Sequence, residues 1–117
     1  MGTNFYAVKT RPTVEEPIHI GKRSCGWLFL FHGYNDKYHN PPVIWNTYNQ
    51  VKDWLYRNTV EKTDYVILDE YDKPAEFDDF FKMVDEWQND KDNQSNPDNF
   101  KYCRNVDGYR FSYEVFY

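Results

Sequence analysis

From residue 18 to residue 33 the chain reads Ile18-His19-Ile20-Gly21-Lys22-Arg23-Ser24-Cys25-Gly26-Trp27-Leu28-Phe29-Leu30-Phe31-His32-Gly33, and this stretch decides the expected fold. It predicts a short strand over 18–20, a basic turn bounded by two glycines over 21–26, and a longer strand over 26–31. In the longer strand, aromatic and aliphatic side chains alternate with a period of two, which is typical of a strand covered on both faces. We therefore expect this strand to lie inside a sheet.

Other strands are predicted on both sides of this stretch. Asn4 to Lys9 and Asp64 to Leu68 are rich in strand-forming residues. The chain ends with a predicted hairpin, because the runs Phe100 to Arg104 and Tyr109 to Phe116 flank the strong turn signal Asp107-Gly108.

Two amphipathic helices are predicted between these strands. Thr47 is a suitable cap for a helix over Tyr48 to Arg57, which Asn58 and Thr59 are expected to end. Apolar residues recur at helical spacing from about Ala75 to Gln88. The expected fold is α+β, a mainly antiparallel sheet with two helices packed on one face.

The expected fold is a single domain over residues 1–117, since this length suffices for one hydrophobic core. Loops connect its predicted elements. Their residues are mainly turn formers and prolines, and the loops cover Arg11 to Pro17, Gly33 to Pro42 and Asp69 to Pro74. Asn89 to Asn99 has no apolar side chain, so we expect an exposed, mobile loop there.

The composition limits the class of protein. Aromatic residues make up 21% of the chain, so rings must form much of the core, and many of the 11 tyrosines must lie partly at the surface. The net charge of -5 argues against direct binding to nucleic acid and is compatible with a basic partner. No apolar run approaches the roughly 20 residues of a spanning helix, so no membrane partner is expected.

The two cysteines, Cys25 and Cys103, are expected to be free thiols in a cytoplasmic protein. The N-terminal residues lack the charged and apolar regions of a signal peptide, which favours the same compartment.

Two segments resemble phosphate-binding motifs. Val66-Ile67-Leu68-Asp69-Glu70 imitates a magnesium-binding ATPase strand, but the companion phosphate loop is missing, so we interpret the two acids as turn residues. The turn over 21–26 could hold a phosphate or carboxylate on its backbone amides and on Lys22, Arg23 and Ser24. The alternative is an ordinary strand connection.

His19 and His32 are expected on adjacent strands with Cys25 between them. Their spacing is not that of a zinc site, so neither a metal nor a cofactor is predicted. A nucleophilic pair of Cys25 with either histidine is conceivable, but the sequence identifies no residue to orient it.

Acidic and tyrosine side chains form the expected contact surface. The acidic residues are Asp69, Glu70, Asp72, Asp78 and Asp79. They could imitate a phosphate backbone, or they could be only the solvated side of a turn and of a helix. Tyrosines at predicted turns suit a protein interface, and those selected are Tyr34, Tyr38 and Tyr71.

Three pieces of the sequence resemble a family of small bacteriophage proteins of uncharacterised function. The pieces are Met1-Gly2-Thr3-Asn4-Phe5-Tyr6, the core His19-Ile20-Gly21-Lys22-Arg23-Ser24-Cys25-Gly26-Trp27-Leu28-Phe29 and Gly108-Tyr109-Arg110-Phe111-Ser112. The family opens Met-Gly-Thr-Asn-Tyr-Tyr and carries a His-Ile-Gly-Lys-x-Ser-x-Gly-Trp-x-Phe core. Some relatives have cysteine pairs that suggest a metal, but Ala7 to Pro17 has no cysteine here. The resemblance implies a phage origin and no particular activity.

Three hypotheses follow. The first is a non-enzymatic, anti-CRISPR-like accessory protein that binds and inhibits a defence protein or nucleoprotein complex in the cytoplasm of the infected bacterium. The second is a sponge that sequesters a nucleotide immune signal through Lys22, Arg23, Ser24, Trp27 and Arg110. The third is a small hydrolase or nuclease.

Overall fold

The computed structural model describes residues 2–24, 28–36, 43–89, 103–106 and 108–112. Within these ranges the strands are β1 (Gly2–Lys9), β2 (Ile18–Ser24), β3 (Leu30–His32), β4 (Tyr34–Asp36), β5 (Val43–Trp45), β6 (Tyr65–Asp69), β7 (Pro74–Ala75), β8 (Cys103–Val106) and β9 (Tyr109–Ser112). The helices are α1 (Tyr48–Leu55), which continues as a π-helical segment (Tyr56–Glu61), and α2 (Phe77–Asn89).

In the described part of the chain, the main sheet has seven strands in the order β7-β6-β1-β2-β3-β9-β8, and β4 pairs with β5 in a separate hairpin. Neighbouring strands are antiparallel except β3 and β9, which are parallel. The predicted α+β class with a mainly antiparallel sheet is confirmed. The strand β3 lies inside the sheet, between β2 and β9, as the alternation of its side chains indicates.

Both helices pack on one face of the sheet, which we call the helix face. Phe5 of β1 contacts Phe80 of α2 with ring centroids 5.3 Å apart, and Phe31 of β3 contacts Tyr48 of α1 at 6.1 Å. Phe5 and Phe31 both pair with Gly21, so they lie on one line across the sheet. Rings from the sheet and from both helices therefore form a single core.

The predicted turn over 21–26 is wrong as far as Ser24, because β2 continues through it. Lys22 and Ser24 pair with Asn4 and Gly2 of β1. Gly21 serves close packing, since a Cβ there would lie 2.4 Å from the Leu30 carbonyl oxygen. Backbone pairing on both sides of β2 outweighs the turn-forming tendency of this segment.

Other boundaries also differ from the prediction. The longer strand expected over 26–31 is the shorter β3 (Leu30–His32), and residues 28 and 29 lie outside any strand. The expected loop from Gly33 contains β4, which pairs with β5. Asn58 and Thr59 do not end the first helix; their side chains donate to the carbonyls of Trp54 and Leu55, four residues earlier, within the π-helical segment. Ala75 belongs to β7 rather than to α2.

The helix cap and the last hairpin are confirmed where the structure describes them. Thr47 accepts a hydrogen bond from the Gln50 amide at 3.1 Å. Gly108 has a φ of 87°, which suits glycine in the turn between β8 and β9. The mobile loop expected over 89–99 lies outside the described residues from position 90 onwards. The outer ends of the two hairpin arms also lie outside them. No described helix is both long and apolar enough to cross a membrane.

Candidate functional site

The face of the sheet opposite the helices carries a group of polar side chains, which we call the polar face. Asn4 and Tyr6 alternate with the buried Phe5 and Ala7 and so lie on this side of β1. Cross-strand pairing extends the face to the neighbouring strands. Its further polar members are His19, Lys22, Ser24, His32, Arg110 and Ser112.

A chain of contacts runs across this face from Glu70 to His32. The Glu70 carboxylate accepts from the backbone amide of Asn4 at 2.6 Å and from its side-chain amide at 3.3 Å. The side-chain carbonyl oxygen of Asn4 lies 2.9 Å from His19 Nε2. Because an amide oxygen can only accept a hydrogen bond, Nε2 carries the proton. His19 Nδ1 then lies 3.3 Å from His32 Nδ1. We call these four residues the histidine relay.

A β-bulge brings His19 into the relay. The register between β1 and β2 shifts between Phe5 and Tyr6, so that Phe5 pairs with Gly21 and Tyr6 with His19. The extra residue in β2 turns His19 towards Asn4. The Tyr6 and His19 ring centroids lie 5.2 Å apart.

Burial and, to a smaller extent, the nearby Lys22 together lower the pKa of His19 to about 4, although a hydrogen bond to the Gly21 carbonyl acts in the opposite direction. The imidazole of His19 is therefore neutral at pH 7. A neutral imidazole has one N–H and one lone pair, so its two ring nitrogens play different roles.

Two aromatic residues position the histidines from the side of the β4–β5 hairpin. The Tyr34 ring stacks on His32 at 4.2 Å, and its hydroxyl accepts from the His19 backbone amide at 3.1 Å. The Trp45 indole donates to the His32 carbonyl at 2.5 Å. Burial raises the pKa of Tyr34 to about 12, so its hydroxyl stays protonated.

Tyr34 is therefore not the exposed interface residue that its loop-like sequence context predicts. It is 7% exposed and packs against Trp45. The physical reason is the pairing of β4 with β5, which turns the ring inwards. Tyr38 lies outside the described residues.

The residues expected to bind a nucleotide divide between the two faces. Lys22 and Ser24 lie on the polar face above Gly2, where a Cβ would come within 2.4 Å of Lys22 Cε and 2.7 Å of Ser24 Oγ. Arg23 instead crosses the helix face, with its guanidinium 5.3 Å from the Trp87 ring centroid. Within the described part of the expected turn, residues 21–24, the chain is a strand, so neighbouring side chains point to opposite faces instead of gathering on one.

Arg110 shares the polar face but is only 7% exposed. It follows Leu30 and Lys22 on one line across the sheet, because Lys22 pairs with Leu30 and Leu30 with Arg110. Trp27 lies outside the described residues.

Two of the acids selected from the sequence are engaged inside the molecule. Asp69 accepts from the backbone amides of Tyr71 and Lys73 and so closes the turn after β6. Glu70 belongs to the histidine relay. Asp72 has a φ of 63° in the same turn, where aspartate is among the better-tolerated residues.

The other selected residues are exposed, and one of them, Asp79, lines a groove. Asp78 and Asp79 occupy the first turn of α2, and Tyr71 is 67% exposed at the turn before β7. The groove has a volume of about 350 Å³ and is lined by Thr59, Val60, Tyr65, Val66, Ile67, Pro74, Ala75, Glu76, Phe77 and Asp79. We call this groove, together with Asp78 next to Asp79, the acidic groove; Tyr71 and Asp72 lie in the turn between β6 and β7 and do not line it.

The groove lies where β7 leaves part of β6 uncovered. Strand β7 pairs only with Ile67 and Leu68, so the groove borders the earlier residues of β6. Val60, 45% exposed, adds an apolar contact on one wall. An apolar floor with acidic sides suits a partner segment that carries both apolar and basic side chains.

The sequence missed Asn4 as a functional candidate, and it selected Glu70 only as an acid of the contact surface. They meet His19 only because β1 pairs with both β2 and β6. Within the described ranges, no group of three or more His, Cys, Asp or Glu side chains is arranged to hold a metal ion. No family model, curated protein sequence or solved structure matches the chain.

Proposed function

We propose that the protein is a non-enzymatic bacteriophage accessory protein that binds and inhibits a bacterial defence component, with a CRISPR effector or a nuclease as the target. It acts in the cytoplasm of the infected bacterium. The resemblance to a phage family supports the phage origin, and the net charge of -5 supports a basic target.

The acidic groove is the observation that carries this proposal. Its exposed acids can meet the basic surface with which a nuclease holds nucleic acid, and they then compete with the phosphate backbone. Tyr71, exposed in the turn between β6 and β7, supplies a further rigid aromatic contact for the partner. Asp78 and Asp79 supply charge at the groove and Asp72 supplies charge beside Tyr71 in the turn, whereas Asp69 and Glu70 stabilise the turn and the relay.

The test is inhibition of DNA cleavage by a panel of purified CRISPR effectors and nucleases. The double variant D78K/D79K reverses two charges beside the groove, so it should abolish inhibition of the target. A matched control, D53K/E86K, makes the same change in charge at two exposed positions of α1 and α2; of these, Asp53 makes only a solvent-exposed ion pair with Arg57.

The control should still inhibit. Equal loss in both double variants would reduce the effect to overall charge and contradict a specific groove. Lack of inhibition or binding for every member of the panel at low salt would contradict the proposal as a whole. Tyr71→Ala should weaken binding about tenfold or more if the ring is buried at the interface.

A second candidate function is sequestration of a nucleotide signal on the polar face. Lys22 and Ser24 lie side by side above Gly2, and the neutral His19 lies on the same strand. A cation, a hydroxyl and an imidazole on one surface suit a phosphate group. Tyr6 of the same face offers a ring for a base.

Thermal shift against cyclic nucleotides and ADP-ribose-type compounds tests this candidate. Binding should raise the melting temperature of the wild type, and Lys22→Glu should remove the shift. Lys73→Glu makes the same charge change at an exposed turn away from this face and should keep it. The absence of a shift with every compound would rule out this function for the nucleotides used.

A further inference from the structure

The two histidines of the relay face each other through matching ring nitrogens. Their Nδ1 atoms lie 3.3 Å apart, and the rings are nearly perpendicular, at 79°. This separation is at the long end for an N–H···N hydrogen bond. Two nitrogens bound at about 2.0–2.1 Å to a tetrahedral zinc ion lie about 3.3–3.4 Å from each other.

We infer that His19 and His32 bind one divalent transition-metal ion of the zinc class through their Nδ1 atoms. Imidazole nitrogen is a preferred ligand of zinc and its neighbours in the first transition series. The proposal is independent of the acidic groove and adds a bound ion to the polar face.

The contacts behind His19 are those that a metal-binding histidine requires. Its Nε2–H donates to the Asn4 carbonyl oxygen, and the Asn4 amide donates in turn to Glu70. A ligating histidine almost always donates its other ring N–H to an oxygen, which directs the lone pair of the first nitrogen towards the metal. The other ring nitrogen of His19, Nδ1, lies 3.3 Å from His32 Nδ1.

His32 is positioned by different contacts with the same effect. The Tyr34 ring stacks on its imidazole, and the Trp45 indole fixes its backbone carbonyl. Both imidazoles are therefore held in place before any ion arrives, which lowers the entropy cost of binding. Within the described residues no third His, Cys, Asp or Glu side chain clusters with the pair. The remaining coordination positions of the ion would therefore be filled by other ligands.

The charges near the two histidines give the metal site a further testable property. Lys22 acts electrostatically on His19 and opposes a second positive charge there. Glu70, linked to the pair through Asn4, acts in the opposite direction. Removing the lysine charge should therefore tighten metal binding, whereas it would weaken an anion site on the same face.

The experiment titrates cobalt(II), as a visible probe, and then zinc into protein treated with a chelator. The wild type should bind one ion per chain with the absorption of a tetrahedral cobalt site. His19→Gln or His32→Gln should weaken binding at least 100-fold, and Asn4→Ala about 10–100-fold. Lys22→Met should bind several-fold more tightly than the wild type.

Controls use the few other strong ligands in the chain. His39→Gln removes the third histidine, and C25S/C103S removes both thiols. Binding that survives in both histidine-pair variants, or no stoichiometric binding by the wild type at micromolar metal, would overturn the proposal. Should a pair variant fail to fold, ¹⁵N spectra of the wild type decide: zinc must shift both Nδ1 signals, and unchanged signals would indicate only a hydrogen-bonded pair.

Discussion

The two faces of the sheet are built on different rules. The helix face buries rings and aliphatic side chains with little regard to direction, as in the contacts among Phe5, Phe29 and Phe80. The polar face depends on directed contacts between single atoms, such as that between Asn4 and His19. The first arrangement tolerates small errors of position, and the second does not.

This difference separates stability from function. Free energy of folding comes mainly from the helix face, because burial of apolar area is the dominant favourable contribution. The half-buried polar face contributes less free energy of folding, and its groups are of the kinds that bind a metal ion or an anion. Substitutions on the two faces should therefore have effects of different size and kind.

The largest effect is expected on the helix face. Phe80 is 1% exposed and contacts Phe5, Phe29 and Phe81. Phe80→Ala should reduce the free energy of unfolding by about 3–5 kcal/mol, because it removes buried area and leaves a cavity. Urea denaturation measures this. Tyr71→Ala, at an exposed turn, should change it by less than about 0.5 kcal/mol; equal losses would contradict the assignment of the core.

A smaller loss of stability is expected at Gly21, where the backbones of β2 and β3 pack closely. Gly21→Ala places a Cβ 2.4 Å from the Leu30 carbonyl oxygen and 2.6 Å from the Phe29 ring, so β2 and β3 must separate. We expect a loss of about 1–3 kcal/mol. Gly108→Ala has no atom within 4 Å of the new Cβ, but its φ is 87°, so only backbone strain of about 1–2 kcal/mol remains. The same urea measurement ranks the two, and a larger loss at Gly108 would contradict the close packing at Gly21.

On the polar face the expected effect on stability is smaller still. Asn4→Ala removes the side-chain link between Glu70 and His19 but keeps the backbone bond to Glu70. The free energy of unfolding should fall by about 0.5–1.5 kcal/mol. Thr3→Ala, on the neighbouring position of β1, is the control. A loss as large as that of Phe80→Ala would mean that the relay is a main source of stability.

The sequence predicts the helix face well because apolar periodicity is a local signal. Phe77, Phe80, Phe81 and Val84 follow helical spacing and are all buried on α2. The terminal hairpin likewise follows from its turn residues, within the described part. Patterns of this kind need no knowledge of which strands pair.

The polar face could not be predicted in this way. His19, Asn4 and Glu70 come together through a bulge and two long-range pairings, and no local pattern specifies either. The same limit explains Tyr34, whose turn-rich surroundings indicate exposure although β5 pairs with its strand. Arg23 and Lys22, neighbours in sequence, separate to opposite faces because side chains alternate along a strand.

The smallest effect concerns alkaline pH and a pair of tyrosines at the border of the helix face. Tyr48 and Tyr109 stack at 4.0 Å, and both hydroxyls contact the Asp85 carboxylate. Burial, with Asp85 next, raises the pKa of both above the usual 10. The unfolded chain therefore loses these protons first, so the stability they contribute is complete below pH 10 and declines as the pH rises above it. Tyr48→Phe should make the fall of the urea midpoint between pH 9 and pH 11 shallower, since a phenyl ring without the hydroxyl cannot ionise, whereas Tyr71→Phe at the exposed turn should leave the slope unchanged. An unchanged slope in Tyr48→Phe would show that the Asp85 contact does not retain the proton on this ring.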